Sequence, residues 1–381
     1  MRVLVVTWDG AGNLVSTLGI SQSLVRNGHD VRLLGHRSID ERCGSDGWRF
    51  RPFAHTTDYD STRPLDLAGE MALMADQLWF SANVARDVLD ELDREPADVL
   101  LVDAMLIGGL CAGEAANVPT VALFHAAFSL FRAGPLVEML APALPAVAAI
   151  RAELGLPPVD AISDVHDRCA LNLVAAPREF EPDMPFPANV TFVGPVLDGP
   201  ALVQHSDAVD IDDGRDPMVL VSFSTSDQAQ VQILQRCIDA LAALPARVVV
   251  TTGPSIDPAV LAPAANTRVT RFVPHGDVLP HASLVVTHAG MGTVMSALTH
   301  GVPMLCLPLG RDQFFNAAMV ERLGAGRVVA ADAGVPTLAA AARDLLADDE
   351  TRAGAKRMAT VIAGYAGAAT AVAELERVAG N

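Results

Sequence analysis

The sequence is poor in basic residues and in cysteine, and both shortages exclude classes of function. Its 381 residues include 27 lysines and arginines against 45 aspartates and glutamates, which gives a formal charge of −18. Nucleic acids and anionic membranes bind to basic faces, so neither is an expected partner. The five cysteines are odd in number and form neither a Cys-x-x-Cys pair nor a disulfide framework.

Three further features are missing from the chain. The N-terminus, MRVLVVTWDGAG, enters a strand pattern directly and does not have the shape of a signal peptide. No apolar run reaches the roughly 20 residues of a membrane span, because Pro142 and Pro145 interrupt the Ala/Leu-rich tract at 136–150. No cluster with metal-ligand spacing is visible. We therefore expect a cytoplasmic protein that needs no metal and no cofactor.

Short apolar strands alternate with helical segments along most of the chain. The pattern opens with a strand at 3–7, a helix that Gly28 closes and a strand from Asp30, and it resumes after an Asp-, Gly- and Pro-rich segment. Such alternation predicts an α/β fold with doubly wound sheets, and the length suits two domains. The predicted parts are an N-terminal domain at 1–200, a linker at 201–217, a C-terminal domain at 218–365 and a helix at 366–381 that packs back on the N-terminal domain.

The segment 272–316 is the most informative part of the sequence. In it a buried strand ends in the turn HAGMGT, residues 288–293, and a helix follows. This arrangement points free backbone N–H groups and the positive end of a helix dipole at one place, which suits a diphosphate. The next strand leads to Asp312 and Gln313, whose carboxylate and amide suit sugar hydroxyls. The segment therefore predicts a nucleotide-sugar site.

This segment resembles the GT-B-fold bacterial natural-product glycosyltransferases (antibiotic, macrolide and enediyne types) of the UDP-glycosyltransferase superfamily. The resemblance extends over nearly the whole chain and includes the first strand and its glycine turn, Asp103, Val193-Gly194-Pro195 and Ser222-Phe-Ser-Thr225. It implies two Rossmann-like doubly wound domains that face each other across an interdomain cleft. It also implies an inverting, metal-independent transfer of a sugar from a nucleoside diphosphate to a small acceptor.

The resemblance assigns the donor to the C-terminal domain. It implies that His288 and Thr293 bind the diphosphate, that Phe272 stacks on the pyrimidine and that the Val273 backbone pairs with the edge of that base. Asp312 and Gln313 would hold the sugar. The other implied donor-binding residues are Ser222, Ser224, Thr225, Gly290, Met291, Gly292 and Ser296. For the serines at 222 and 224, for Thr225 and for Phe272, ordinary turn, cap or core roles remain the alternative.

Ser296 departs from the pattern of many relatives that use UDP-sugars. Those relatives carry a glutamate at this position, and it accepts hydrogen bonds from the ribose hydroxyls. A serine cannot replace the glutamate as the partner of the 2′-hydroxyl, and this loss costs less binding free energy when the donor lacks a 2′-hydroxyl. We therefore expect a dTDP-sugar rather than a UDP-sugar.

The catalytic base is the main departure from the family. Many relatives carry a histidine in the first turn as general base, oriented by an aspartate after the fourth strand, and here Asn13 and Asp103 occupy those positions. An amide cannot take the acceptor proton. Either Asp103, Asp9 or His125 is the base, or the acceptor is acidic and Asn13 only positions it, or the protein binds without transfer. Asp103 is preferred, because desolvation in a dry cleft would raise its pKa.

Aromatic residues of the N-terminal domain suit a hydrophobic acceptor, although such residues are also typical of a core. The predicted acceptor-binding residues are Trp8, Asn13, Trp79, Phe80, Phe124 and Phe128. The predicted function is transfer of a deoxysugar to a small aglycone such as a polyketide. A catalytically weak sugar-nucleotide-binding auxiliary protein, a GT-B-fold epimerase and, less well matched, an NAD-dependent oxidoreductase are the alternatives. The expected partners are the nucleotide-sugar donor and the acceptor, and a homodimer is left open.

Overall fold

The structure is a computed structural model that describes residues 1–10, 12–43, 47–59, 67–197, 199, 217–224 and 230–380. These residues form two compact units. The first contains the described residues up to 199 (47–59 included) together with 365–380, and the second contains those from 217 to 364. The predicted linker at 201–217 lies outside the described residues except for Pro217.

The first unit is built on a seven-stranded sheet with the order β3-β2-β1-β4-β5-β6-β7, and all its strand pairs are parallel. Its strands are β1 (Arg2–Val6), β2 (Asp30–Gly35), β3 (Arg49–Pro52), β4 (Val99–Asp103), β5 (Thr120–Phe124), β6 (Leu171–Val174) and β7 (Val190–Phe192). Its helices up to residue 167 are α1 (Gly12–Arg26), α2 (Arg37–Cys43), α3 (Leu67–Met74), α4 (Ala82–Arg94), α5 (Ile107–Ala115), α6 (Pro135–Leu140), α7 (Leu144–Glu153) and α8 (Ser163–Asp167).

The strand order of this sheet reverses at β1, and a crevice is expected at this switch point. β1 lies between β2 and β4, so the connections after β1 and after β4 lead to opposite sides of the sheet. Ligands of open α/β sheets bind outside the carboxyl ends of the strands at such a point. The turn after β1 and Asp103 at the end of β4 lie at that edge.

The second unit is built on a six-stranded parallel sheet with the order β10-β9-β8-β11-β12-β13. Its strands are β8 (Met218–Ser222), β9 (Arg247–Thr251), β10 (Thr267–Thr270), β11 (Leu284–Thr287), β12 (Met304–Cys306) and β13 (Gly326–Val328). Its helices are α9 (Val231–Leu241), α10 (His275–Val278), α11 (Met291–Thr299), α12 (Gln313–Arg322), α13 (Val335–Ala347) and α14 (Asp349–Ile362). The predicted doubly wound α/β fold is confirmed in both units.

The last helix, α15 (Ala368–Ala379), belongs to the first unit. Its apolar residues Ala371, Val372, Leu375 and Val378 are buried in the same core as residues of β1 and α1. On its polar side, Glu376 lies 3.0 Å from Nε2 of His29, which precedes β2. The C-terminal end of the chain therefore contributes to the core of the first unit.

The predicted fold differs from the structure at two places. Sequence patterning missed β3, because its RFRP sequence alternates with arginines and the strand lies at the edge of the sheet. The apolar tract around Pro142 forms α6, a 3-10 turn and α7. Among the described residues, 135–153 is the one helical stretch that is long and apolar enough for a membrane span. Length and composition alone do not distinguish such a span from a helix of a globular unit.

Candidate functional site

The turn between β11 and α11 has the geometry of an anion site. Ala289 adopts a left-handed conformation with φ of 66°, and its N–H donates to Oγ1 of Thr287 over 3.2 Å. Gly290 precedes the first helical residue, and neither a side-chain cap nor an acidic residue occupies the first turn of α11. The first N–H groups of a helix have no intrahelical partner. They are therefore available to an anion at this end of α11.

His288 lies beside this turn as a buried, neutral imidazole. Burial, together with the charge of Arg311, lowers the pKa of His288 to about 3. Its ring stacks on Phe223 with 5.8 Å between centroids and 23° between planes. A Cβ at Gly290 would lie 2.6 Å from Nε2 of His288, so the ring needs a glycine at this position. Phe223 was not predicted as a site residue, although it lies in the Ser222–Thr225 motif.

Three other residues of the turn differ in their surroundings. A Cβ added at Gly292 would meet no atom within 4 Å, so packing does not require a glycine here. Thr293 is buried on the first turn of the helix and Met291 is half-buried.

The predicted sugar-binding pair is tied to the anion turn by Asn316. The amide nitrogen of Asn316 donates to the carbonyl of Ala289 over 3.0 Å and to Oδ2 of Asp312 over 2.8 Å. Gln313 is buried, and its Oε1 accepts from the backbone N–H groups of Leu309 and Gly310 over 2.8 and 3.1 Å. Asp312 is therefore held next to the turn, while the carbonyl of Gln313 holds its own loop.

The remaining predicted donor residues lie at the ends of β8 and β10 and on α11. The hydroxyl of Ser222 accepts from Oγ1 of Thr251 over 3.0 Å and lies 3.1 Å from Nε2 of His275. Ser224 is also buried. Ser222 therefore joins the ends of β8 and β9, which agrees with the structural alternative for this residue. Thr225 lies outside the described residues; Phe272 is half-buried, and Val273 and Ser296 are buried.

In the first unit, Asn13 is committed to its own surroundings. Only 1% of the residue is exposed. Its amide nitrogen donates to the Trp8 carbonyl over 3.0 Å and to Oδ2 of Asp103 over 2.8 Å, and its Oδ1 accepts from the N–H of Gly10 over 3.1 Å. The polar groups of Asn13 therefore hold the turn after β1 and the carboxylate of Asp103, and contact between Asn13 and the acceptor stays a prediction.

Asp103 does not have the raised pKa that was expected of a base. Burial alone raises the pKa of Asp103, but the nearby His125 and the hydrogen bonds donated by Asn13 and by the Met105 N–H together hold it below its ordinary value. Oδ2 of Asp103 lies 3.3 Å from Nδ1 of His125. The expected rise in the pKa of Asp103 is therefore wrong, while its role as the base stays a prediction.

Asp9, another candidate base, is enclosed by its own surroundings. The residue is fully buried, and its Oδ2 accepts from the hydroxyl of Ser38 over 2.6 Å. Its N–H donates to Nδ1 of His36 over 3.1 Å. His36 is buried in turn, which lowers its pKa. Asp9 and His36 thus hold the start of the loop after β1, and Asp9 offers no surface to an acceptor.

The predicted acceptor residues divide into two groups. Phe124 and Phe128 are almost wholly buried, with ring centroids 4.9 Å apart, and they are core residues rather than acceptor ligands. Trp8 and Trp79 pack edge to face at 6.0 Å. The indole nitrogens of both tryptophans are buried and have no hydrogen-bond partner among the described residues. Phe80, which follows Trp79, is buried.

No group of three or more His, Cys, Asp or Glu side chains able to hold a metal occurs within the described parts of the chain.

Several known proteins are similar to this chain. Residues 235–377 match the model of the EryCIII-like family, described as the C-terminal domain of erythromycin biosynthesis protein CIII-like proteins. The 4'-demethylrebeccamycin synthase of Lentzea aerocolonigenes is 29% identical over 85% of this chain and 86% of its own length. The NDP-glycosyltransferase YjiC of Bacillus subtilis (strain 168) is 31% identical over 76% of this chain and 74% of its own.

The fold is also that of a solved glycosyltransferase. The crystal structure of the glycosyltransferase VinC in complex with dTDP has a TM-score of 0.76 with this chain. The match covers 100% of this chain and 99% of VinC, at 20% sequence identity. At this identity the likeness establishes the shared fold.

Proposed function

Because the chain belongs to the GT-B-fold family of natural-product glycosyltransferases, we propose that it transfers a deoxysugar from a dTDP-sugar to a small hydrophobic aglycone. Sugar transfer is the activity of the family. The proposal also specifies dTDP as the nucleotide, inversion at the anomeric carbon, independence of a metal and the class of acceptor. A polyketide-like aglycone is the acceptor class that we propose.

The start of α11 carries the donor assignment. Its first turn lacks a side-chain cap, and Gly292 leaves space in front of the backbone N–H groups. A helix N-terminus of this kind favours phosphate groups. His288 at the same turn is neutral near pH 7, so it can donate an N–H to the diphosphate without the cost of burying a charge.

Departure of the diphosphate is the step that these donors assist. As the bond to the sugar breaks, negative charge grows on the leaving phosphate oxygen. Preorganised donors at such a position are each worth about 3–4 kcal/mol of transition-state stabilisation. His288 and the N–H groups of α11 would supply this stabilisation, and Thr293 on the same turn could add a hydroxyl.

Two further residues are evidence for the proposed donor and its sugar. Ser296 is buried on α11, and it is shorter than a glutamate and uncharged, which favours the 2′-deoxyribose of dTDP. Asp312 is anchored by Asn316 to the carbonyl of Ala289 in the anion turn. A carboxylate held in this way can accept hydrogen bonds from hydroxyls of the sugar.

The two tryptophans support an acceptor that carries oxygen. A buried indole N–H without a partner costs free energy. The N–H groups of Trp8 and Trp79 can each donate to a carbonyl or hydroxyl oxygen of an aglycone, while their rings and that of Tyr59, 6.1 Å from Trp8, cover its apolar part. Aromatic polyketides combine these two properties.

A thermal-shift titration with dTDP, UDP and NAD at matched concentrations tests the donor. A ligand that binds only the folded state stabilises it by RT ln(1 + [L]/Kd), so the order of the shifts gives the order of affinities. We expect dTDP to exceed UDP, no response to NAD, and the same dTDP shift in EDTA. A larger shift with UDP would contradict the dTDP assignment. No shift with either pyrimidine nucleotide would contradict the donor site itself.

A further inference from the structure

We propose that His125 and Asp103 act as one unit in which His125 takes the proton of the acceptor hydroxyl and Asp103 positions the histidine. The inference rests on the proposed function, since it supplies the proton acceptor that sugar transfer to a hydroxyl requires. It gives His125 the role of catalytic residue and Asp103 that of positioning residue.

The topology of the first sheet brings the two residues together. β4 and β5 are neighbouring parallel strands, and Asp103 is paired in register with Leu123. Asp103 is the last residue of β4, and His125 follows the last residue of β5 directly. Nδ1 of His125 consequently lies 3.3 Å from Oδ2 of Asp103 at the carboxyl edge of the sheet.

The exposure of the two side chains separates their roles. The side chain of Asp103 is 1% exposed, whereas that of His125 is 22% exposed. Asp9, the other candidate base, is fully buried. An acceptor molecule can therefore reach the imidazole of His125 but neither of the two carboxylates.

Asn13 completes the unit from the other side of Asp103. Its amide nitrogen donates to Oδ2 over 2.8 Å, and the N–H of Met105 donates to Oδ1 over 3.0 Å. Donors of this kind favour the ionised carboxylate, and both of these hydrogen bonds act to lower the pKa of Asp103. The amide of Asn13 thus occupies the place next to the aspartate that relatives give to their histidine. The histidine–aspartate pair is retained here, with its histidine directly after β5 instead of on α1.

The proton and electron pairs can be followed through the reaction. A lone pair of the acceptor oxygen forms the bond to the anomeric carbon, and the bond from that carbon to the diphosphate breaks, its electron pair remaining on the phosphate oxygen. The acceptor proton moves to Nε2 of His125, whose other ring nitrogen faces Asp103 and carries the second N–H. The imidazolium is stabilised by the carboxylate and loses its proton to solvent afterwards. General base catalysis of this kind contributes about 10²–10⁴-fold in rate.

Two acceptors of nearly the same shape test this role. With a dTDP-deoxysugar as donor, 1-naphthol must lose a proton during transfer, whereas 4-nitro-1-naphthol is already ionised above neutral pH. We expect His125→Gln to lower kcat about 10²–10⁴-fold with 1-naphthol and less than about tenfold with the nitro compound. Imidazole in the buffer should restore part of the 1-naphthol activity of His125→Ala. Asp103→Asn should show the same dependence on the acceptor with a smaller loss.

Controls separate this role from a structural one. The dTDP affinity of each variant should equal that of the unchanged protein, and an unchanged melting temperature and circular dichroism spectrum show that the altered first unit folds. His29→Gln removes a histidine that pairs with Glu376 at the opposite edge of the same sheet, and it should retain full activity with both acceptors.

The possible outcomes distinguish the inference from the proposed function. Transfer to 1-naphthol that survives in His125→Gln, or equal losses with both acceptors, would overturn the inference alone. If the unchanged protein binds dTDP but transfers sugar to neither naphthol, the proposed transfer fails and the inference fails with it.

Discussion

Replacement of Gly292 by alanine should weaken donor binding without weakening the fold. A methyl group at this position meets no atom within 4 Å. Alanine in place of glycine restricts the unfolded chain, and at compatible sites this stabilises a protein by about 0.4–1 kcal/mol. We expect the melting temperature to rise by about 1–4 °C. The same methyl group would keep a diphosphate from the N–H groups at the start of α11.

The size of the expected effect follows from the hydrogen bonds that the methyl group blocks. A hydrogen bond to a charged group contributes about 1.5–3 kcal/mol, so the loss of one raises the dTDP Kd about 10- to 150-fold. Isothermal titration calorimetry of Gly292→Ala with dTDP measures this change. An unchanged dTDP Kd together with the higher melting temperature would refute the placement of the diphosphate at this turn.

Two other glycines serve as controls for this prediction. Gly12 begins α1 in the first unit, and a Cβ there would also meet no atom within 4 Å. Gly12→Ala should therefore leave dTDP binding unchanged. At Gly290 the added Cβ would lie 2.6 Å from the ring of His288, which stacks on Phe223, so Gly290→Ala should lower the melting temperature.

Three further predictions concern the donor, the acceptor and acid stability. Ser296→Glu should raise the UDP affinity relative to dTDP about tenfold, and parallel titrations that give an unchanged ratio would contradict the role of Ser296. Trp79→Phe retains a ring but removes an indole N–H, so the KM of an oxygen-bearing acceptor should rise severalfold at constant dTDP Kd; an unchanged KM would argue against Trp79 as an acceptor ligand. Burial lowers the pKa of His166 to about 4 and, together with the charge of Arg311, that of His288 to about 3. The unfolded chain, in which histidine has a pKa of about 6.5, binds more protons below that pH. For each histidine, the free energy of unfolding should therefore fall by about 2 kcal/mol between pH 7 and pH 5. Urea midpoints that do not fall over this range would contradict this result.

The strands and the donor turn could be predicted from the sequence because their determinants are local. β4 and β5 are buried at every position, and the four apolar residues in succession that each contains predict such strands. The anion turn occupies six consecutive residues at 288–293, so its spacing was visible. β3 was missed because its outward arginines hide the apolar pattern.

The arrangement of the first unit depends on contacts between distant residues, which the sequence does not display. Asn13 contacts Asp103, 90 positions away, and this contact ties the amide of Asn13 to the carboxylate. The direction in which burial moves the pKa of Asp103 could be argued from its position. The groups that outweigh burial and lower this pKa, His125 first and then the hydrogen-bond donors, could not be identified without the fold.

The aromatic residues show the same limit. Phe124 and Trp79 are both apolar and aromatic, and both stood as candidate acceptor ligands. Packing distinguishes them, because the ring of Phe124 is enclosed by Phe128 and Phe131. The indole of Trp79 leaves a polar atom without a partner among the described residues.

Detection of the glycoside itself is the most direct test of the proposed sugar transfer. The purified protein is incubated with an α-linked dTDP-sugar and 1-naphthol in the presence of EDTA, and the product is followed by mass spectrometry and by the anomeric proton coupling in NMR spectra. We expect release of dTDP in equal amount to a β-linked naphthyl glycoside. An α-linked product would contradict the inverting mechanism, and release of free sugar or epimerised donor without any glycoside would contradict the transfer reaction.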